Sequence, residues 1–376
     1  MKRKYIFIVA VILILVVTVS LASPSGKSTR VVAHTDQEIN DAVEKGCKIV
    51  REARTLTSLA CSEDAAASLG LQEDIRVFAL DTGANSQIKA DVVQSSGNTG
   101  SGRKIVILDT GYNYNHPELG SSYLGGKDFV NNDNDPFDDN GHGSHVAGLI
   151  TADGADPNAK GVAPDTGIIA GKVLSASGSG YFSDVVAAIY WAVDGPDGIA
   201  NTADDFNADA ISMSLGTSQP YTYKGFCDNV LPSLTNAVKF ARDRGVIVVV
   251  AAGNSGGAGV SIPGCISYST TVGAVGSSDN IAKFSGRGSA VDITAPGVSL
   301  YSCWLGNSYL TASGTSMATP VVSGTVALIK SAHPGYTPSQ IEAALFSTAK
   351  DLGKSGKDTS YGWGRVDAQG AVNYIV

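Results

Sequence analysis

The sequence predicts an α/β protein, a three-layer sandwich with a mostly parallel central sheet, preceded by a small α+β unit. Three observations carry this reading. From about residue 104 onward, continuous apolar runs of strand length alternate with helical stretches, a pattern that belongs to a parallel sheet covered on both faces. Gly supplies 44 of the 376 residues, more than the roughly 7% that is usual, as expected of a turn-rich globular chain. The stretch from Arg30 to Leu80 reads separately as strand, helix, two further apolar stretches, helix and strand.

Taken in order, the chain begins with Lys2, Arg3 and Lys4, then an apolar run from Ile6 to Ala22 that ends in the small-residue triplet Ser20-Leu21-Ala22. This is the pattern of a signal peptide over 1–22. The alternative is an uncleaved anchor, because about 17 apolar residues is the lower limit for spanning a bilayer. Either way the body of the protein is expected outside the cell, and only the anchor would tie it to a membrane.

The unit that follows opens with a strand at Val31-Val32-Ala33, and Thr35 with Glu38 forms a capping box before the first helix. A second helix is expected near Ala65 and a strand over Ile75 to Leu80. A unit of about fifty residues buries little surface alone.

In the remainder, strands are expected at Lys104–Leu108, Ile168–Val173, Ala210–Met213 and Val246–Ala251, and helices at His142–Ala152, Ser183–Val193, Leu231–Arg244 and Ser316–Ala332. In such a sheet ligands bind at the carboxyl ends of the strands. No internal repeat appears at a period of 20 to 50 residues.

Charge and cysteine content exclude several functions. Lys and Arg number 27 against 35 Asp and Glu, a net charge of -8, so nucleic acid is not an expected partner. The five Cys include no CxxC, which removes structural zinc. Outside the cytosol disulfides are permitted. Cys227 and Cys265 flank a strand and a loop able to bring them together, whereas Cys303 reads as a buried, small apolar residue.

Four residues able to do chemistry fall at element ends on one edge of the expected sheet. Asp109 ends the strand Ile105-Val106-Ile107-Leu108. His142 opens a helix between two glycines. Ser316 begins the last long apolar helix, where free amides and the dipole favour developing negative charge. Asn254 follows the buried strand ending at Ala251, and its side-chain amide suits an oxyanion donor. Singly, each has an ordinary reading as a cap, a turn former or a structural residue. Their joint placement argues for one cleft.

These residues resemble the subtilisin-like serine proteases, or subtilases, over about Ser86 to the C-terminus. The resemblance rests on Ser86-Gln87-Ile88-Lys89-Ala90, on Asp109-Thr110-Gly111, on Asn140-Gly141-His142-Gly143-Ser144-His145, on Gly178-Ser179-Gly180, on Ser212-Met213-Ser214-Leu215-Gly216, on Ala251-Ala252-Gly253-Asn254 and on Gly314-Thr315-Ser316-Met317-Ala318. It implies a serine endopeptidase in which Asp109 orients His142, His142 takes the proton of Ser316, and Asn254 with the Ser316 amide holds the oxyanion. Gly178, Ser179 and Gly180 would flank an extended substrate backbone on one side, and Ser214, Leu215 and Gly216 on the other. Leu215, Gly216, Ala251, Ala252 and Gly253 would line the pocket for the residue before the scissile bond, with a weak apolar preference.

By the same resemblance 23–80 is an inhibitory propeptide that binds its own enzyme, 81–376 the catalytic domain, and self-cleavage is expected near residues 78–85. The implied enzyme is a secreted monomer acting on protein and peptide substrates with broad specificity and no catalytic cofactor. Three departures stand out. Ser144 replaces a usual Thr, Val321 a common His, and the loop after Trp191-Ala192-Val193 is longer by roughly a dozen residues.

Oxygen donors concentrate over Asp128–Pro136, and hard donors at alternate positions suit structural Ca²⁺, with Asp128, Asn131, Asp133 and Asp135 as ligands. Subtilases of thermostable kind carry a calcium loop at this place. A second candidate runs from Asp194-Gly195-Pro196-Asp197-Gly198 to Asp204-Asp205.

Three other functions compete. Asp81-Thr82-Gly83 and Asp109-Thr110-Gly111 repeat the tripeptide of aspartic proteases, but lie far too close together to come from two lobes. A catalytically silent peptide-binding protein would not need Asp109, His142, Asn254 and Ser316 together. A transpeptidase or cyclase would use the same acyl-enzyme.

Overall fold

The computed structural model describes residues 28–53, 56–73, 83–199 and 201–376. The expected signal peptide, the strand expected over 75–80 and Asp81-Thr82 lie outside the described residues. The chain divides after residue 78 into two compact units.

The first unit contains β1 (Ser28–Ala33), α1 (Asp36–Glu44), β2 (Lys48–Ala53), β3 (Leu56–Ser62), α2 (Glu63–Leu69) and β4 (Gln72–Glu73). Its strands lie in the order β2-β3-β1-β4, all pairs antiparallel. The capping box forms: Thr35 Oγ1 accepts from the Glu38 amide at 3.2 Å, and the Glu38 carboxylate accepts from the Thr35 amide at 3.0 Å. The small core is Val31, Ala33, Ala42, Cys47, Leu59 and Cys61. Cys47 and Cys61 are disulfide-bonded, a pairing that the sequence reading did not single out. Leu59 and Cys61, two apart on β3, point to the same face, which places Cys61 inside.

The second unit continues with α3 (Gly83–Ile88), α4 (Ala90–Ser95), β5 (Lys104–Asp109), β6 (Tyr123–Asp128), α5 (His142–Thr151), β7 (Gly167–Lys172), α6 (Phe182–Asp194) and β8 (Ala210–Met213). Then follow β9 (Thr222–Tyr223), α7 (Pro232–Asp243), β10 (Ile247–Ala251), β11 (Val260–Ser261), β12 (Thr270–Val275), β13 (Ile293–Pro296), β14 (Leu300–Cys303), β15 (Tyr309–Ala312), α8 (Thr315–Ala332), α9 (Pro338–Thr348) and α10 (Ala368–Asn373).

Seven strands form a wholly parallel sheet in the order β13-β12-β10-β8-β5-β7-β6. Its strands are apolar throughout because both faces are buried. In β5, Ile105 and Ile107 enter a core shared with α5 and α8, while Val106 and Leu108 enter the opposite core, with α6 and α7. The α/β sandwich expected from the sequence is thus present. The eight elements expected in this unit all form, with ends shifted by at most one residue.

The strands missed by the sequence reading have physical reasons. β6 lies at an edge, contains Gly125 and Gly126 and is only partly buried; β12 begins with two Thr and contains Gly273; β13 has four residues. None presents a long apolar run.

Cys227 and Cys265 are bonded to each other, and Cys303 is buried and free. Among the described residues no helix is long and apolar enough to cross a membrane.

Candidate active site

The order of the sheet reverses between β5, whose neighbours on one side are β7 and β6, and β8, which leads to β10, β12 and β13. At such a switch point loops diverge from the carboxyl ends and leave a crevice. Here a cleft of about 730 Å³ opens, lined among others by His142, Asn254 and Ser316.

Asp109 ends β5, fully buried. Its Oδ1 accepts from the Thr110 amide at 2.7 Å and faces His142 Nδ1 at 2.6 Å, while Oδ2 has no protein partner among the described residues. An ionised carboxylate only accepts, so Nδ1 carries the proton and Nε2 is left with its lone pair. Burial pushes the His142 imidazole down, but the charge of Asp109 and its hydrogen bond outweigh this and hold the pKa above the usual histidine value.

His142 starts α5 after Gly141, whose φ of 104° is the left-handed region that favours glycine. A Cβ at 141 would lie 2.6 Å from the Trp304 ring, and one at 143 would lie 2.1 Å from the Gly111 carbonyl oxygen. The two glycines therefore let the start of α5 settle against the turn that follows Asp109.

Asp138, which the sequence reading passed over, fixes that helix start. It is fully buried and accepts from the amides of Asn140 (3.0 Å), Gly141 (2.9 Å) and Ser144 (2.8 Å), from Ser144 Oγ (2.6 Å) and from Thr110 Oγ1 (2.9 Å). Burial pushes its carboxyl up, but these donors prevail and hold it below the ordinary aspartate value. An acid just before a helix N-terminus was the available signal. Ser144 keeps a hydroxyl at the position where the resemblance led us to expect Thr, and Val321 is buried in the core with α5.

Ser316 lies in the first turn of α8. Its Oγ donates to the Ser214 carbonyl at 3.1 Å, and Ser214 Oγ donates back to the Ser316 carbonyl at 2.8 Å. Pro320, four residues on, has no N–H to offer that carbonyl, which frees it for Ser214. In this conformation Ser316 and His142 share the cleft, with the hydroxyl directed at Ser214.

Thr315 orients Asn254. Its amide and hydroxyl donate to Asn254 Oδ1 at 2.9 and 3.0 Å. A backbone N–H can only donate, so the oxygen of the Asn254 side chain must face it. Nδ2 is left without a protein acceptor among the described residues, as is the Ser316 amide.

The expected substrate-binding residues Gly178, Ser179, Gly180, Ser214, Leu215, Gly216, Ala251 and Gly253 all line the cleft. Ala252 does not: it is fully buried, and its side chain belongs to the core under α6 and α7, as alternation along an extended segment requires. Tyr181, Phe182, Tyr221 and Ser261 also line the cleft. Ser261 comes from a separate segment, which no motif marked.

The carboxylates expected to bind calcium are hydrogen-bonded within their own loops. Asp128 is buried and accepts from the amides of Val130 and Asn131 and from Asn131 Nδ2, at 2.7, 2.9 and 2.8 Å. Asp133 accepts from the Asp135 amide at 2.9 Å, and Asp135 from Tyr114 at 2.7 Å. In the second loop Asp197, Asp204 and Asp205 likewise accept from backbone amides. No group of three or more His, Cys, Asp or Glu suited to a metal occurs among the described residues. The oxygen donors at 128–135 are of the kind a hard cation takes, and the same carboxylates accept the hydrogen bonds that close the turn.

Residues 100–364 match the family described as the subtilase family. The chain is 39% identical to the thermophilic serine proteinase of Bacillus sp. (strain AK1), over 73% of this chain and 62% of that protein. It is 36% identical to subtilisin E of Bacillus subtilis (strain 168), over 87% of this chain and 84% of that one. It is 39% identical to subtilisin Savinase of Lederbergia lenta, over 76% of this chain and 96% of that one.

Proposed function

Because the chain belongs to the subtilase family of serine-type endopeptidases, we propose that it is a secreted, self-processed endopeptidase in which Asp109, His142 and Ser316 hydrolyse peptide bonds of broad sequence. The observation that carries this reading is the 2.6 Å contact of Asp109 with His142 at the rim of a cleft that Ser316 shares.

In the proposed reaction an extended substrate enters between Gly178–Gly180 and Ser214–Gly216. The Ser316 hydroxyl turns from Ser214 towards His142, whose Nε2 accepts its proton as Oγ attacks the scissile carbonyl carbon. The carbonyl oxygen becomes an oxyanion and accepts from Asn254 Nδ2 and the Ser316 amide. His142 then gives the proton to the leaving amine as the acyl-enzyme forms. Water, deprotonated by His142, attacks the acyl carbon and releases the acid and Ser316.

The precursor reading, with a signal peptide over 1–22 and a propeptide over 23–80, draws on two facts. The chain divides after residue 78. The match to subtilisin E covers 87% of the chain, more than residues 79–376 supply by themselves.

The test is fluorophosphonate labelling of the secreted protein, with mass spectrometry of the labelled peptide and of the N-terminus. Label on Ser316 with an N-terminus near residue 80 is expected. A folded, processed chain that takes no label would overturn the reading in favour of a silent peptide-binding protein.

A further inference from the structure

Lys172, the last residue of β7, has a side chain only 2% exposed. The sequence offers a lone Lys between apolar strand residues, and a buried ammonium is costly unless every proton is taken. All three are. Nζ donates to the Thr110 carbonyl at 2.6 Å, to the Leu174 carbonyl at 3.1 Å and to Asp139 Oδ1 at 2.6 Å.

Those acceptors belong to three different parts of the site. Thr110 follows Asp109, and its hydroxyl accepts from the Gly143 amide at 2.8 Å beside His142. Leu174 lines the cleft at the root of the Gly178–Gly180 segment, and the amides of Val173 and Leu174 donate to the Asp109 carbonyl at 2.9 and 3.1 Å. Asp139 lies on the loop into α5, next to Asn140, whose Nδ2 donates to the Ala176 carbonyl at 2.9 Å.

We propose that Lys172 is a positioning residue for the reaction: its buried ammonium sets the acid's turn, the loop before His142 and the substrate-flanking segment in register with one another. The ammonium touches no reacting atom. It acts through the carbonyls of Thr110 and Leu174, and a displacement of about 1 Å in such a frame is enough to cost roughly 10²-fold in rate.

This rests on the Asp109, His142 and Ser316 reading, and the test separates the two. Folded wild type, Lys172→Met and Ser316→Ala are treated with a fluorophosphonate, and kcat and KM on an extended peptide are measured per labelled site. Lys172→Met should label about 10- to 100-fold more slowly and lose a similar factor in kcat per site. A residue that merely supports the fold would lower the number of active molecules and leave the rate of each unchanged; that result overturns the proposal. Wild type that takes no label at Ser316 would instead sink the triad reading. If Lys172→Met does not fold, Asp139→Ala decides, because that side chain is 48% exposed and its removal opens no cavity. Because the ammonium loses one acceptor, Tm falls as well, so kcat is read per labelled site well below the transition: a several-fold fall is expected, and wild-type kcat overturns the proposal.

Discussion

Thr315 gives both its amide and its hydroxyl to a single atom, Oδ1 of Asn254, at 2.9 and 3.0 Å. The pair fixes which end of the Asn254 amide meets the cleft. Replacing Asn254 by Ala should lower kcat by about 10²–10³ with little change in KM, the size of effect found when such a donor is removed from subtilisin. Thr315→Val removes one of the two bonds and should cost less. A raised KM with unchanged kcat in Asn254→Ala would show that the side chain binds substrate without stabilising the transition state.

The acid limb of the pH profile should report His142. Its pKa is raised despite burial, because of Asp109, so kcat/KM should fall as pH drops through a value above the ordinary one of about 6.5. Asp109→Asn removes the charge, which should move that limb to lower pH while the maximal rate drops by about 10⁴. An acid limb that stays in place in Asp109→Asn would assign the titration to another group.

Asp138 should stabilise the fold above the pH at which aspartate ordinarily titrates. Its pKa is depressed in the folded state, so its contribution is present above the unfolded value and is lost as pH falls through the lower folded one. Asp138→Ala leaves buried donors from the start of α5 and from Thr110 unpaired, a loss of about 3 kcal/mol at neutral pH. Equal Tm values for variant and wild type at pH 7 would contradict this.

Ser316→Ala, expressed in a secreting host, should accumulate as a chain that keeps residues 23–80. Intact mass reads this directly. Cleavage at the wild-type bond in that variant would assign maturation to another protease.

Leu215, Gly216, Ala251 and Gly253, expected beside the scissile bond, line the cleft, and none of them is charged. A peptide library should show a weak preference for apolar side chains there. A profile dominated by Lys or Arg would contradict the assignment.

Much of the site was legible because its residues sit where regular structure stops. Asp109, His142, Asn254 and Ser316 each follow or open an element whose apolar pattern is strong, and the glycines around His142 mark a close approach in the sequence itself. What stayed hidden depends on contacts between distant segments. Asp138 gains its role from amides gathered by the turn before α5, and Lys172 from three acceptors on separate loops. Ser261 enters the cleft from β11, a two-residue strand without pattern. Ala252 was misplaced because motif membership says nothing about which way a side chain points. In the acidic loops composition alone does not tell a cation ligand from an acceptor of backbone amides.

The order of the elements has a consequence for synthesis. Asp109 and His142 lie in the first half of the chain, and Ser316 opens the long helix that fills the core near its C-terminal end. On the proposed triad a ribosome releases the acid and the base well before the nucleophile, and a product terminated before residue 315 lacks both the attacking hydroxyl and the helix that would complete its interior. Copies cut short there would hold an acid and a base with no hydroxyl to activate, and would be unable to cut.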